Sequence, residues 1–584
     1  MAGKIEKDRE GRLHISRSRI SSRINKTGSW RYMKPVYTSR TAPCSAACPA
    51  GENIPHIEHL VLQGQFREAL ETILKENPFP AVCGHVCFHP CESACNRSHL
   101  DAPLAINALE RFVGYPVTGE KMWPWIQQSP PNGKHVAVIG SGPSGLSAAY
   151  FLCRLGYGCD IYESEKEPGG LLRWGIPSYR LPKAILNHEI ERIEKLGVQI
   201  YCGRNVSVSF LQTAEERYHA VYVGCGQARP IRMQIPGDVK VFEGQTFLKD
   251  IRAGNRPEYN GVSAVIGGGN TAIDVARTLV RLGSQPIIIY RRRIEDMPAF
   301  GQEISLAQQE GIGIRELTIP VRMNKDKQGV ALRLQKMALD GFETNNGSAR
   351  VIPIQGEEEI LYVHEVFTAI GAEVENEWQH VEPGNDSKLY LSHSAITNHG
   401  FPIVYGGDLV NRVLSVSDAV ASGKQAAMAL DSYFQEGWGS IEKRLADCRM
   451  GQGPALSMEC YLANDAYRPK DPQLVGYQDI NPAYFLPEDR SEPIIKGPAE
   501  RITSFSDYQS NFTAQTASRE AGRCFNCGIC NDCDNCRLFC PETAISIEDT
   551  RRINMDYCKG CGVCVAECPR SAMTLEEADY ETGS

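Results

Sequence analysis

The chain has 584 residues, 42% of them hydrophobic and 23% charged, with a formal net charge of −8. This composition is typical of a globular protein with several domains, and the negative charge argues against a general nucleic-acid-binding function. No run of about 18 apolar residues is found, so we expect no membrane span. Because no secretion signal opens the sequence, we predict a cytoplasmic protein.

The first 35 residues carry ten Lys or Arg and three acidic residues. This excess predicts a basic N-terminal arm over residues 1–35, which is either a solvated tail or a segment that docks on a partner. The acidic residues within it argue against an organelle transit peptide.

Sixteen of the 22 cysteines fall within residues 44–95 and 524–568. A long chain without a secretion signal does not need a disulfide scaffold, so clustered cysteines indicate metal or redox centres. We expect the six scattered cysteines to be small buried residues. These six are Cys153, Cys159, Cys202, Cys225, Cys448 and Cys460.

Six cysteines follow the basic arm in two groups, and the segment between the groups has apolar residues at helical spacing near 54–76. We therefore predict a small helical domain. The second group repeats every four residues, but Gly84 and Pro90 favour a winding loop around a cluster over a helix. Dense thiolates suit iron–sulfur clusters, with zinc as the alternative. The six are Cys44, Cys48, Cys83, Cys87, Cys91 and Cys95.

A glycine-rich turn is the principal motif in the centre of the chain. After four apolar residues the sequence reads Gly140-Ser141-Gly142-Pro143-Ser144-Gly145 and continues into a helical pattern. In a G-x-G-x-x-G turn the glycines allow a tight bend, close approach of a pyrophosphate, and packing of helix on strand. Glu163, at the end of the next strand, stands where a ribose hydroxyl needs an acceptor. These features predict a dinucleotide site.

A second turn of this kind follows, Gly267-Gly268-Gly269-Asn270-Thr271-Ala272. The strand after it ends in Arg291, Arg292 and Arg293 where the first unit has an acid. Because guanidinium groups pair with a 2′-phosphate, this favours NADP(H) over NAD(H). The alternative is a solvated charge run or a salt-bridge site, a role we expect for one of the three.

Several other sequence segments are not explained by general preferences for helices, strands or turns. They include Asn77–Cys87, Pro168–Pro177, Tyr179–Pro182 and Val404–Asp408. Together they resemble the small subunit of glutamate synthase, and they are similar to the related half of dihydropyrimidine dehydrogenase. The resemblance covers about residues 40–440. Neither an amide-transfer domain nor a pyrimidine-binding barrel is present, so glutamate synthesis by this chain alone is not expected.

The resemblance implies FAD in the first dinucleotide site, with further contacts from Gly170, Leu171, Arg180, Gly407 and Asp408. It also implies [4Fe–4S] clusters in the N-terminal domain. The first set of ligands would be Cys48, Cys87, Cys91 and Glu110, and the second would be Cys44 and Cys95 with Cys83. The family's Cys-x-x-Cys just ahead of Cys44 is missing here, so one or two N-terminal clusters remain possible.

The tail carries the strongest motif, two runs of Cys-x2-Cys-x2-Cys-x3-Cys-Pro. This is the bacterial two-cluster ferredoxin pattern, in which the fourth cysteine of each run ligates the other cluster. One set is therefore Cys530, Cys533, Cys536 and Cys568, and the other is Cys558, Cys561, Cys564 and Cys540. An extra Cys-x-x-Cys, Cys524 and Cys527, stands upstream; it is inert, binds a separate metal, or shields a cluster.

We predict a multidomain α/β fold with a helical iron–sulfur domain, two Rossmann-like domains and an α+β ferredoxin-like domain. The predicted bounds are 1–35 for the arm, 36–130 for the iron–sulfur domain, 131–254 and 371–440 for the FAD domain, 255–370 for the NAD(P)H domain, 441–520 for an irregular connector and 521–584 for the ferredoxin domain.

The predicted function is that of an NAD(P)H:acceptor oxidoreductase. Hydride passes from nicotinamide to FAD and single electrons leave through the clusters, so no catalytic side chain is required. The acceptor is ferredoxin or a partner subunit in a hetero-oligomer, such as a 2-oxoacid or aldehyde oxidoreductase, and the physiological direction is open. The alternatives are an electron-bifurcating subunit and a non-catalytic adaptor.

Overall fold

The computed structural model describes residues 26–115, 126–327, 329–343, 349–375, 378, 388–398, 400–463, 471–547 and 551–578. The chain divides into two compact units. The smaller unit comprises residues 1–40, 475–486 and 525–584, and the larger unit comprises residues 41–474 and 487–524. Most of the predicted basic arm, residues 1–25, lies outside the described residues.

The smaller unit contains two antiparallel strand pairs, Met33–Tyr37 with Met573–Glu577 and Ile545–Ile547 with Arg551–Ile553. Its helices are Asn535–Leu538 and Val563–Ala566. The prediction of a free arm up to residue 35 is therefore wrong for its last residues. Met33, Lys34 and Pro35 belong to a strand because the C-terminal strand supplies its backbone hydrogen bonds, a pairing no local pattern reveals.

The larger unit begins with six short helices: Pro43–Ala47, Ile54–Leu62, Phe66–Leu74, Pro80–Val86, Pro90–Ser93 and Ile106–Gly114. Cys83 and Cys91 lie within two of these helices, so the predicted winding loop is wrong. Pro80 and Pro90 start the helices, because proline fits the first turn, where its missing N–H is not needed. Glycine is needed at position 84, because a Cβ there would lie only 2.4 Å from the Cα of Arg111 and would clash with it.

The first sheet of the larger unit has seven strands. The last five in the spatial order are parallel. The order is Lys388–Tyr390, Ser394–Asn398, Pro402–Gly406, Ala220–Val223, His135–Ile139, Gly158–Tyr162 and Gln199–Tyr201. Its helices are Pro143–Arg154, Gly170–Trp174, Lys183–Glu194, Phe210–Thr213 and Val416–Glu436.

The second sheet has five parallel strands in the order Gly313–Arg315, Gln285–Ile289, Val262–Ile266, Glu365–Thr368 and Val241–Glu243. Its helices are Gly244–Arg252, Asn270–Arg281 and Gly301–Gln309. An antiparallel sheet of Thr318–Asp326, Gly329–Glu343 and Ala349–Val363 follows. The second sheet thus begins before residue 255, the predicted start of this domain, because Val241–Glu243 pairs with Glu365–Thr368.

The described part of residues 441–520, predicted as an irregular connector, has short α-helices and strands at Ile441–Asp447, Met458–Leu462, Asp471–Leu474 and Pro498–Arg501, with Ala514–Gly522 at the end. Buried ionic groups anchor part of this segment. Arg501 Nε lies 3.0 Å from Glu310 Oε1, and the hydroxyl of Tyr508 donates to Glu303 Oε1 at 2.9 Å. Among the described helices, none has both the length and the apolar character that a membrane crossing needs.

Candidate functional site

The first glycine-rich turn joins the strand His135–Ile139 to the helix Pro143–Arg154. Gly140 has a φ of +95°, which glycine adopts without strain. A Cβ on Gly145 would lie 2.0 Å from the carbonyl oxygen of Gly140, so this glycine allows helix and strand to touch. A Cβ on Gly142 would meet no described atom within 4 Å, so open space faces the backbone where a pyrophosphate would lie.

The side chain of Glu163 forms hydrogen bonds with this turn. This residue follows the strand Gly158–Tyr162 and is 5% exposed. Its carboxylate accepts hydrogen bonds from the backbone N–H of Ser141 at 2.9 Å and of Glu165 at 2.8 Å, and also from the Ser141 hydroxyl. The side chain is therefore held at the end of the strand, beside the turn, as the ribose role requires.

The loop predicted to contact FAD lies against the same turn. A Cβ on Gly170 would lie 2.7 Å from the Cα of Gly142, while Leu171 is 45% exposed. Arg180, also predicted to contact FAD, is held by ion pairs. Its guanidinium lies 2.8 Å from Asp274 and 3.2 Å from Glu303, both carboxylates of the second-sheet helices, so its charge is already paired.

The predicted Gly407-Asp408 element follows the strand Pro402–Gly406. The backbone N–H of Gly407 donates to the hydroxyl of Ser422 at 2.7 Å. Burial and the nearby carboxylate of Asp418 raise the pKa of Asp408 to about 6. Asp408 therefore offers a carboxyl group where a ribityl chain would need a polar partner, while Ser422 is fully buried and holds the backbone of Gly407.

The second glycine-rich turn joins Val262–Ile266 to the helix Asn270–Arg281. Gly267 has a φ of +145°, and a Cβ on it would lie 2.2 Å from the carbonyl oxygen of Ala369. A Cβ on Gly268 would lie 2.3 Å from the ring of Tyr290, whereas one on Gly269 would find open space within the described chain. This repeats the arrangement of the first turn.

The three arginines after the next strand differ in their contacts. Arg293 forms ion pairs with Glu295 and Asp296, and its Nε lies 2.8 Å from Asp296 Oδ2. Arg291 is exposed and Arg292 is half-buried. Arg293 is thus the salt-bridge member that we expected among the three.

One cavity of about 510 Å³ brings the two turns together. Its lining includes the predicted residues Gly140, Gly142, Pro143, Ser144, Glu163, Gly170, Leu171, Arg180, Gly407, Asp408, Asn270 and Thr271. Its size is within the range of cofactor sites. Gly145, Gly267, Gly268, Gly269, Arg291 and Arg292 are not among its lining residues.

The sequence analysis missed other lining residues, among them Phe88, Gln227 and Trp378. The amide of Gln227 donates to the carbonyl oxygen of Asp408 at 2.9 Å. Phe88 directly follows the predicted ligand Cys87, which was the available signal. No motif marks Gln227 or Trp378.

The first set of N-terminal ligands is brought together in the larger unit. Burial raises the pKa of the Cys91 thiol, as do the neighbouring thiols of Cys48 and Cys87. Burial, followed by the charge of Glu110, raises the pKa of Cys87 to about 12. Thiols of this kind become thiolates when a metal replaces the proton, so they fit a buried cluster. Cys83 lies with this set, because Glu110 and Cys87 raise its pKa in addition to burial.

Glu110 is held within a buried polar group. The amide of Asn77 donates to Glu52 at 2.8 Å and to Glu110 at 3.1 Å. Burial and the charge of Glu52 raise the pKa of Glu110 well above its usual range. A cationic cluster iron would offset this unfavourable charge, so Glu110 also fits a ligand.

Two cavities in the smaller unit match the two predicted ferredoxin sets. One is lined by Cys530, Cys533, Cys536 and Cys568. The other is lined by Cys540, Cys558, Cys561 and Cys564. Each therefore combines three cysteines of one run with the fourth of the other. Cysteines surrounding a space fit a multi-iron cluster, and no described group of three or more His, Cys, Asp or Glu could hold a single metal ion.

Comparisons with known proteins extend this description. Residues 35–121 match the family described as dihydropyrimidine dehydrogenase domain II, 4Fe-4S cluster. Residues 134–423 match pyridine nucleotide-disulphide oxidoreductase, and residues 551–574 match the 4Fe-4S binding domain. These matches confirm the predicted flavin, nicotinamide and [4Fe–4S] cofactors.

Relatives match over most of the chain. The NADP(+)-dependent formate dehydrogenase subunit beta of Moorella thermoacetica is 32% identical over 83% of this chain and 70% of its own length. The NADPH-Fe(3+) oxidoreductase subunit beta of Geobacter sulfurreducens is 29% identical over 83% of this chain and 75% of its own.

A further relative matches a smaller share of the chain. The NAD-dependent dihydropyrimidine dehydrogenase subunit PreT homolog of Salmonella typhi is 32% identical over 68% of this chain and 92% of its own length. Among solved structures, Mycobacterium tuberculosis FprA in complex with NADPH aligns with a TM-score of 0.42 and 17% identity, over 67% of this chain and all of that one. The chain therefore belongs to the family of pyridine-nucleotide oxidoreductases typified by the glutamate synthase small subunit, in its form with a C-terminal ferredoxin domain.

Proposed function

We propose that this protein is the reductase subunit of a larger complex and exchanges electrons between NADPH and one-electron acceptors. The observation that carries the proposal is the single cavity that both glycine-rich turns reach and that Phe88 also lines. When bound, FAD accepts hydride from the nicotinamide and releases electrons singly to [4Fe–4S] clusters. The residues of the chain bind the cofactors, orient them and shield them from solvent.

The two turns would hold the pyrophosphates of the two dinucleotides. Gly142 and Gly269 each leave open space beside a helix N-terminus, where backbone N–H groups are available to phosphate oxygens. Glu163 and Asp408 are the acceptors for hydroxyl groups of the first nucleotide. Arg291 and Arg292 are the partners for a 2′-phosphate on the second.

Residues at the edge of the cavity support an electron exit toward the N-terminal cysteines. Phe88 lines the cavity and is covalently next to Cys87. Its ring stacks on that of Phe300 at a centroid distance of 5.7 Å. The backbone N–H of Phe300 in turn donates to Asn270 at 3.0 Å. Packed aromatic and backbone groups therefore join the nicotinamide turn, the cavity and the proposed cluster ligand.

The nature of the partner is inferred from the relatives. Two relatives that match 83% of the chain are named as beta subunits, one of a formate dehydrogenase and one of an Fe(3+) oxidoreductase. We therefore propose a partner subunit that oxidises formate or another low-potential substrate such as an aldehyde or a 2-oxoacid, or a separate ferredoxin. NADPH is the proposed nucleotide, on the strength of Arg291 and Arg292.

The test is NADPH-dependent reduction of benzyl viologen by protein purified without oxygen. We expect turnover by the full chain and its loss in Gly142→Leu, whose side chain would fill the space left for the pyrophosphate. Gly497→Leu, at an exposed position with an ordinary φ of −60° and, within the described chain, open space around an added Cβ, is the matched control. Absence of bound FAD, or equal turnover in the Gly142→Leu variant, would contradict the proposal.

A further inference from the structure

Besides the six scattered cysteines, three cysteines of the larger unit lie outside the sets that fill the proposed sites. Cys44 and Cys95 form the incomplete second N-terminal set, and Cys524 opens the unassigned Cys-x-x-Cys. In the sequence, Cys524 is more than 400 residues from the other two. In the structure, the backbone before Cys524 packs onto the segment that follows Cys95.

Two arginines make this connection. Arg97, two residues after Cys95, donates from Nη1 to the carbonyl oxygen of Arg523 at 2.9 Å. Arg523 is 1% exposed and donates from Nη2 to Asp101 Oδ1 at 2.9 Å and to the carbonyl oxygen of Ala102 at 2.7 Å. The residue immediately before Cys524 is thus locked, on both its backbone and its side chain, to residues 97–102.

Cys44 reaches the same region through its helix. The helix Pro43–Ala47 packs against Pro90–Ser93, just before Cys95, and Cys44 is 8% exposed. Its thiol is close enough to Cys91 to contribute to the raised pKa of that group. The two N-terminal sets therefore interleave, as the ligand sets of paired clusters do in ferredoxins.

The surroundings of Cys95 suit a cluster ligand. The backbone N–H groups of Leu104 and Arg97 point at its sulfur, and the positive charge of Arg523 lies near. Hydrogen bonds to cluster sulfurs and nearby cations offset the negative charge that thiolate ligands give a cluster. The guanidinium groups of Arg97 and Arg523 are buried and ion-paired with Asp101, and Arg523 also pairs with Glu520, so they fix the backbone on either side of the proposed site.

We propose that Cys44, Cys95 and Cys524 ligate a further [4Fe–4S] cluster in the larger unit. In this site a cysteine from the C-terminal segment takes over from the Cys-x-x-Cys that the family pattern has ahead of Cys44. The chain would then hold four clusters. The site goes beyond the proposed function, because its assembly depends neither on the nucleotide nor on the acceptor.

Iron and acid-labile sulfide in the anaerobically purified full chain test this site. We expect about 16 iron atoms per chain. Cys44→Ser and Cys524→Ser should each lose about four, and the double variant should lose no more than about four, because both residues serve one cluster. Cys524→Ser combined with Cys536→Ser should lose about eight, and Cys202→Ser, outside all the sets, should lose none.

A wild-type content of about 12 iron atoms would overturn the proposal, and this measurement does not depend on any variant folding. A loss of about eight atoms in the Cys44→Ser, Cys524→Ser double variant would also overturn it, by assigning the two residues to different clusters. FAD content is measured in each sample. Protein with full FAD and about 12 iron atoms would contradict this site alone, whereas protein without FAD would contradict the proposed function.

Discussion

The thiol sulfur of Cys87 lies 3.7 Å from the hydroxyl oxygen of Ser417. Ser417 is in the first turn of the helix Val416–Glu436, and Val416 and Ala419 of that turn line the cavity. The thiol donates in this structure; a cluster-bound thiolate would accept from the hydroxyl. The hydrogen bond thus joins the helix at the proposed flavin to a proposed ligand of the nearest cluster.

We predict that Ser417→Ala lowers the reduction potential of one [4Fe–4S] cluster. A hydroxyl donor stabilises the more negative, reduced cluster, and its loss costs about 1 kcal/mol, or about 40 mV for one electron. A redox titration followed by EPR measures the shift. Ser417→Thr keeps the hydroxyl and should have the wild-type potential. An unchanged potential in Ser417→Ala would contradict the proposal that Cys87 is a cluster ligand with a hydrogen bond from Ser417.

We predict that replacing both Arg291 and Arg292 by alanine raises the KM for NADPH by about a hundred-fold or more and leaves that for NADH unchanged. Each lost hydrogen bond to a charged phosphate costs about 1.5–3 kcal/mol. Steady-state viologen reduction with each nucleotide gives both constants. Arg293→Ala is the control, because that side chain already pairs with Glu295 and Asp296. Equal effects on both nucleotides would contradict the assignment.

We predict a pH-dependent stability difference between the flavin-free wild type and Asp408→Asn. The folded-state pKa of Asp408 is raised from 3.8 to about 6, so the folded protein binds the proton more tightly than the unfolded chain does. Its contribution to stability is therefore greatest at low pH and is lost as pH rises through about 6. From pH 5 to 8 the wild type should lose about 1.4 kcal/mol relative to the variant.

Chemical denaturation of both flavin-free proteins at several pH values measures this difference. Asp238→Asn, at an exposed carboxyl group, is the control and should follow the wild type. A wild type that gains stability relative to Asp408→Asn over this range would mean that the carboxyl group is stabilised in its ionised form.

We predict crossed ligation in the ferredoxin tail. Cys568→Ser with Cys533→Ser should lose about four iron atoms, because these residues line one cavity although they belong to different runs. Cys568→Ser with Cys561→Ser should lose about eight, since these two belong to one run but line different cavities. The reverse result would assign each run to its own cluster.

Motifs whose chemistry is encoded locally could be predicted from the sequence. The turns at Gly140 and Gly267 lie between strand and helix because each motif contains the strand, the bend and the helix start within a dozen residues. The tail cysteines gather around two cavities because their spacing is itself the cluster-binding pattern. In both cases few conformations satisfy the pattern.

Features that depend on distant partners could not be predicted. Val241–Glu243 is a second-sheet strand only because Glu365–Thr368 lies beside it, and Met33–Tyr37 is a strand only because the C-terminal strand does. The two carboxylate partners of Arg180 likewise come from helices about 100 residues further on. The local pattern of apolar and polar residues does not indicate such strand pairs and ion pairs between distant residues.

The most direct test of the central claim is an anaerobic titration of the full chain with NADPH and, separately, with NADH. Optical spectra follow the flavin, and EPR follows reduced clusters in the same samples. We predict that NADPH bleaches the flavin and that cluster signals then appear without any added mediator, with NADH less effective. A flavin that bleaches while the clusters stay oxidised would contradict an electron path from the nucleotide through the flavin to the iron–sulfur centres.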